Sequence, residues 1–294
     1  MAHKVIRDGR EVPEPILPGL TAESSPYTFT EERGLLFSTQ FTQPALTLME
    51  IAEMEALRSK GLVQQKSIFA GHSLGEYSAL AACTTFMSLE SLLDLVFYRG
   101  LTMQNAMMRD EFGRTEFSMI AVNPSRIRKS FSEENFVEIA QQIASQSGLL
   151  LEIVNWNILQ QQYVCAGHVL GAVCDALCDG SRSTTSTDAL HELVAQKTLA
   201  SSEVRRPIEL QRGKTTVPLN GIDIPFHSTH LRGGVDTYRA YLKEKILEKD
   251  LVPEQLIGKF IPNVVGQLFS VDRKYVEKVA EITGSECLRK MLMC

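Results

Sequence analysis

No stretch of this 294-residue chain approaches the roughly 20 consecutive apolar residues that cross a bilayer. The opening Met1 to Leu20 is charged and proline-rich and lacks the apolar core of a signal peptide, so a cytoplasmic location is expected. Positive charge is in short supply as well. Lys and Arg total 30 against 35 Asp and Glu, a formal net charge of -5, and the two signs are mixed along the chain. That distribution lacks the basic footprint of a nucleic-acid binder. The six cysteines form no CxxC pair and fall far below the density of a secreted disulfide scaffold, so reduced, mostly buried thiols are expected. No internal repeat is present. What remains is an ordinary globular composition, 44% hydrophobic and 22% charged, enough for one large domain or two smaller ones.

Up to about Pro26, Pro13, Pro15 and Pro18 interrupt any periodicity, which predicts an extended lead-in over residues 1–26. From Ala45 to Lys60 apolar residues recur at helical spacing, through Leu46, Met49, Ala52 and Leu57, and Gly61 closes the helix. Ser67 to Ala70 reads as a short buried strand, Gly71 to Gly75 as a tight turn, and Glu76 to Cys83 as a helix. A further helix opens at Ser88 and runs to Arg99.

After Gly113 the texture changes. Met119 to Val122 reads as a strand, Pro124 to Gln146 as a helix, Leu149 to Val154 and Gln162 to Ala166 as strands, and a helix starts near Val169. Gly180 to Thr187 is a polar loop, and a strand near Pro207 to Gln211 closes the unit. This is the β-α-β-β-α-β order of a ferredoxin-like unit. Val217 to Ile224 is β-rich and leads to Pro225-Phe226-His227-Ser228; helices follow at about Gly234 to Lys249 and Val271 to Thr283. The expected architecture is α/β: an α/β hydrolase-like parallel-sheet body over residues 27–116 and 213–294, with a ferredoxin-like α+β subdomain inserted over 117–212.

Gly71-His72-Ser73-Leu74-Gly75 matches G-x-S-x-G. The pattern gains value from its setting between a strand and a helix, where the glycines permit a sharp turn and the serine is forced into a strained, exposed position. A chance glycine-serine turn is the bland alternative. The Leu74 N–H at the helix start can donate to an oxyanion formed on an attacked carbonyl. A serine hydroxyl needs a base, and the chain has six histidines. His72 adjoins the serine but is directed elsewhere by the turn; His3 and His191 lie in polar segments, and His168 follows a strand end. His227 is the best candidate, in a loop after a β-rich run, beside Phe226, which could wall a pocket; a histidine merely satisfied in a loop is the alternative. A His227-x-x-His230 zinc pair is weak, because no further ligand cluster stands near it. Arg99 ends an apolar helix face, so its guanidinium either snorkels to water or pairs with an anion. Facing Ser73, it would grip a substrate carboxylate bidentately.

Three segments now converge: Thr42-Gln43-Pro44-Ala45-Leu46-Thr47, Gly71-His72-Ser73-Leu74-Gly75-Glu76 and Pro225-Phe226-His227-Ser228. Together they resemble the malonyl-CoA:acyl-carrier-protein transacylase family. The finer similarity is to the malonyl/palmitoyl transferase domain of fungal-type fatty acid synthase β subunits. Phe37 to Glu50, Phe97-Tyr98-Arg99-Gly100, Ile153 to Asn157, Gln161 to Val164, Ile261-Pro262-Asn263 and Thr283 to Glu286 carry it. The resemblance covers nearly everything from Tyr27 onward.

It implies that Ser73 accepts the acyl group, that His227 is its general base, and that a main-chain carbonyl near Thr283 to Glu286 orients the imidazole. It further implies that Arg99 binds the malonyl carboxylate, that Leu74 supplies an oxyanion N–H, and that Gln43 and Asn157 line the pocket with Phe226. The implied substrates are malonyl-CoA, long-chain acyl-CoA and the phosphopantetheine of an acyl carrier protein domain. No cofactor and no metal would be bound. Other synthase domains and an α subunit are the implied partners, with no nucleic acid and no membrane. One departure stands out. Family members carry a Gly-Gln-Gly-Ser-Gln loop with a second oxyanion donor, and the sequence contains no such segment; an N-terminally truncated, poorly active polypeptide is therefore expected. A non-catalytic fragment of the synthase and a serine esterase or thioesterase are the competing expectations, and Arg99 argues against the latter.

Overall fold

The computed structural model describes the chain outside Met1, 8–9, 16, 18, 22, 25, 32, 111–112, 128–130, 169, 172, 175–176, 178–209, 211 and Cys294. It divides into two compact units, Met1–Ser25 with Met103–Val235 and Pro26–Thr102 with Asp236–Cys294. No helix among the described residues is long and apolar enough to cross a membrane.

The first unit opens with an antiparallel hairpin, β1 (Ala2–Arg7) and β2 (Arg10–Pro15), in which Val5 is in register with Val12. This corrects the expected extended lead-in over residues 1–26. Every second N–H of a two-stranded ribbon points outward, and the two-residue spacing of Pro13 and Pro15 fits that set, so neither removes a ladder bond. Asp8-Gly9, between the strands in sequence, is a strong hairpin dipeptide.

Four further strands form one antiparallel sheet: β4 (Ser118–Val122), β5 (Leu151–Ile158), β6 (Gln162–Gly167) and β7 (Thr216–Pro218), in the spatial order β5-β6-β4-β7. Helix α4 (Glu133–Ser147) lies on one face. There Phe136, Ile139 and Ile143 join Ile120, Val122, Tyr163 and Cys165 in a buried cluster. Leu170, Val173, Cys174 and Leu177, all helical, complete it at i, i+3, i+4 and i+7. Residues of opposite strand parity, Met119, Val164 and Ala166, point to the other face and pack against Leu219, Ile222 and Phe226.

The expected helix from Pro124 to Gln146 is two elements, a 3-10 turn at Pro124–Arg126 and then α4. Ser132 accepts from the Asn135 N–H while the Asn135 side chain accepts from the Ser132 N–H at 3.0 Å, a capping box that starts a new helix. β5 continues past the expected Val154 to Ile158, with irregular register between Ile153 and Asn155 and between Trp156 and Ile158. The expected closing strand at Pro207 to Gln211 lies outside the described residues apart from Leu210, as does the loop at Gly180 to Thr187; among the described residues β7 stands at the edge of the sheet beside β4.

The units meet in sequence at 103 and 235 rather than at the expected 117 and 212. Arg109 pairs with Asp223 at 2.7 and 3.2 Å, Thr115 donates to the Asp223 carbonyl, and the Leu219 N–H donates to Met119 at 2.9 Å. These bonds tie the segment around Asp223 to the antiparallel sheet.

The second unit contains α1 (Thr39–Ser59), β3 (Phe69–Ala70), α2 (Gly75–Cys83) and most of α3 (Leu89–Asn105). After the first unit's segment come α5 (Val235–Lys245), β8 (Phe260–Ile261), α6 (Arg273–Thr283) and α7 (Glu286–Leu292). β3 and β8 pair in parallel, Phe69 with Phe260 and Ala70 with Ile261. Leu92, Leu95, Val96 and Leu101 of α3 are fully buried, each contributing about 1.5–3 kcal/mol through removal from water. α1 starts six residues before the expected Ala45, because Pro44 is accommodated inside the helix. The extension matters: it puts Thr39, Gln40 and Gln43 on the buried face that Thr47 continues. A methyl group at Gly100 would stand 2.5 Å from the Thr39 carbonyl oxygen and 2.6 Å from the Gln40 Cα. Glycine at that position is what lets α3 touch the start of α1.

Candidate active site

Ser73 stands in the turn between β3 and α2 with φ 54. For a residue with a side chain, that left-handed conformation costs on the order of 1–3 kcal/mol and persists only where the surroundings impose it. A Cβ at Gly71 would lie 1.9 Å from the Gly75 carbonyl oxygen, so the turn closes on itself at a spacing only glycine allows. Gly75 differs. A Cβ there meets nothing within 4 Å, so the expected steric need for both glycines holds for the first alone.

The Gly75, Glu76 and Tyr77 amides are taken up by the His72, Ser73 and Leu74 carbonyls at 3.0, 3.3 and 3.0 Å. The Leu74 amide stands outside that ladder, at the start of α2.

Arg99, expected at the end of a helix, lies within α3, which continues to Asn105. Its Nη2 donates to Ser73 Oγ at 3.1 Å and its Nη1 to Gln43 Oε1 at 2.7 Å, while its guanidinium carbon lies 5.6 Å from the Tyr77 ring centroid. Of the two readings left open by sequence, snorkelling and facing Ser73, the geometry matches the second. A cationic donor on Oγ favours the more negative state of that oxygen. Gln43 is 4% exposed, and its Nε2 donates to Thr39 Oγ1 at 2.9 Å, which turns its carbonyl oxygen toward Arg99.

Sequence reasoning missed three neighbours. Tyr77, beneath Arg99, has its hydroxyl 3.0 Å from that of Tyr238, whose pKa burial pushes well above the ordinary tyrosine value. Asn263 accepts from the Ser73 N–H at 3.3 Å, donates from Nδ2 to the Gly71 carbonyl at 2.6 Å, and through its own N–H donates to Glu76 Oε1 at 2.9 Å. One signal pointed to it: in a parallel pair, the residues following each strand emerge at the same edge, and Asn263 follows β8 as Gly71 follows β3.

The other anticipated site residues belong to the first unit. His227 also has a left-handed backbone, φ 65, and is exposed. Its loop is anchored on both sides, by Ser228 Oγ donating to the Pro225 carbonyl at 2.7 Å and by the Thr229 N–H donating to Glu152 at 2.9 Å. Phe226 packs with Met119, Val164 and Ala166 on the sheet. Asn157 is exposed near the end of β5. His230, the second member of the HxxH pair, packs on Phe117 at 4.8 Å between ring centroids, and burial lowers its pKa. Among the described residues no group of three or more His, Cys, Asp or Glu could hold a metal ion.

Comparison with known proteins adds the lineage. The family model for the acyl transferase domain matches residues 4–287. Fatty acid synthase beta subunit hexB of Dothistroma septosporum is 54% identical over 94% of this chain and 15% of its own length. The fatty acid synthase subunit beta of Saccharomyces cerevisiae is 42% identical over 99% of this chain and 15% of its own length. The chain thus spans about 15% of these relatives. Among solved structures, FabD from Acinetobacter baumannii aligns with a TM-score of 0.54 at 23% identity, over 86% of this chain and 64% of that one. The Helicobacter pylori malonyl-CoA:acyl carrier protein transacylase aligns at 0.51 and 22% identity over the same shares; both are likenesses of fold. With that family matched over nearly its whole length, the chain belongs to the acyl transferase domain family.

Proposed function

We propose that this chain moves malonyl groups from CoA to the phosphopantetheine thiol of an acyl carrier protein, and long-chain acyl groups back to CoA, through an ester on Ser73. It would do so as part of a cytoplasmic fungal-type fatty acid synthase β subunit, alongside the other synthase domains and an α subunit, with no cofactor of its own. His227 takes the Ser73 proton as Oγ attacks the thioester carbonyl, the Leu74 N–H receives the oxyanion, and the CoA thiolate leaves with the proton. The carrier thiol then gives its proton to His227, attacks the ester, and Ser73 recovers its hydrogen. Phe226 and Asn157 line the acyl path, and Gln43 orients Arg99.

The Arg99 contact with Ser73 Oγ, 3.1 Å, carries this reading. The malonyl carboxylate lies only two carbon-carbon bonds from the attacked carbonyl, so a group that holds it must sit beside the nucleophile. A plain esterase has no use for a guanidinium there. Parallel β3 and β8, with the serine turn at their carboxyl edge, support an α/β hydrolase-like body. The antiparallel order β5-β6-β4-β7, with helices between β4 and β5 and after β6, supports a ferredoxin-like subdomain.

Incubation with malonyl-CoA followed by peptide mass spectrometry tests the proposal. A malonyl ester should appear on the peptide containing Ser73 and be absent from Ser73→Ala; an unmodified parent chain, or an ester elsewhere, rules the mechanism out.

A further inference from the structure

We infer that Asn263 is a positioning residue that holds the serine turn in its reactive conformation, an inference that rests on Ser73 being the acylated residue. The β3–β8 ladder spans only two residue pairs and ends at Ala70 and Ile261. Pro262 comes next on β8's side and has no N–H with which to extend it. The Asn263 side chain takes over: its amide donates to the Gly71 carbonyl at 2.6 Å and accepts from the Ser73 N–H at 3.3 Å. A carboxamide carries the donor and the acceptor on one planar group, which an ionised carboxylate does not. Its backbone N–H is held in turn by Glu76 Oε1 at 2.9 Å, on the first turn of α2. Gly71, Ser73 and Glu76 bracket the turn, so one residue pins the strand end, the nucleophile's own amide and the helix start. That clamp supplies the external constraint which a left-handed serine, φ 54, requires. Oγ then keeps its aim at the incoming carbonyl through both halves of the acyl cycle.

The experiment measures the rate constant for labelling of Ser73 by a fluorophosphonate, in which Oγ bonds to phosphorus and fluoride leaves, in parallel with thermal unfolding. Asn263→Asp keeps the shape and the acceptor but loses the donor and sets a carboxylate against the Gly71 oxygen. Asn263→Asp and Asn263→Ala should both label about 10- to 100-fold more slowly than the parent, the cost of a misplaced nucleophile. Glu76→Gln, which retains an oxygen for the Asn263 N–H, should label faster than Glu76→Ala. A purely stabilising role would lower the melting temperature and the labelled fraction but leave the rate constant of the folded molecules unchanged, and that result overturns the inference. Should Asn263→Ala not fold, Asn263→Asp decides by the same reading. A parent chain that does not label at Ser73 removes the acyl-serine proposal and this inference together; parental labelling matched by Asn263→Asp removes this inference alone.

Discussion

Gly71→Ala should reduce acylation of Ser73 by about 100-fold or more, because displacing reacting atoms by an ångström costs that much even when the chemistry is untouched. The added methyl would stand 1.9 Å from the Gly75 oxygen, 2.0 Å from the Gly75 carbonyl carbon and 2.6 Å from the Glu76 nitrogen, all backbone atoms that cannot swing aside. The turn must open. Opening it moves Ser73, the Leu74 amide and the first turn of α2 together, and strain of this kind also lowers stability by about 1–3 kcal/mol. Gly75→Ala provides the internal comparison, since its methyl meets nothing within 4 Å and alanine is the better helix former. Ester formation from malonyl-CoA, followed with thermal unfolding, should rank Gly71→Ala far below Gly75→Ala. The reverse order would mean that the close approach at Gly71 is not what shapes the turn.

Arg99→Ala should separate substrates by charge. Hydrogen bonds to a charged group contribute about 1.5–3 kcal/mol each, and each 1.4 kcal/mol is about tenfold in rate or affinity, so losing a bidentate grip predicts a fall of about 100-fold or more in malonyl transfer. A long-chain acyl group has no carboxylate to lose. Its transfer should fall only by what the Arg99 contact with Ser73 Oγ contributes, and relief from burying a guanidinium against an apolar chain offsets part of that. Initial rates with malonyl-CoA and a long-chain acyl-CoA, measured on the same preparation, give the ratio. A uniform loss across acyl groups would remove the carboxylate-binding role from Arg99 while leaving Ser73 acylation standing.

Much of the secondary structure was legible because its causes are local. The strand-turn-helix context of Ser73, the buried stripe of α3 and the alternation in β4 and β6 each arise from residues a few positions apart. Where the reading failed, a local signal was outweighed or overlooked. Pro44 reads as a helix boundary, yet α1 runs through it, since the buried contacts of Gln43 and the close approach at Gly100 outweigh one missing backbone bond. Pro13 and Pro15 read as a break, although Asp8-Gly9 marked the hairpin. The long helix expected from Pro124 overlooked the capping box at Ser132.

The sequence alone determined which chemical groups are available: a serine in a glycine turn at a helix start, a histidine after Pro-Phe, one arginine on an apolar helix. It could not determine where those groups point. Arg99 faces Ser73 because α3 reaches α1 at Gly100, and Asn263 reaches the serine turn across 190 residues of chain because β3 pairs with β8. Backbone preferences and caps are settled within a few residues. Contacts between distant side chains depend on strand register and helix packing, which exist only once the whole unit has folded.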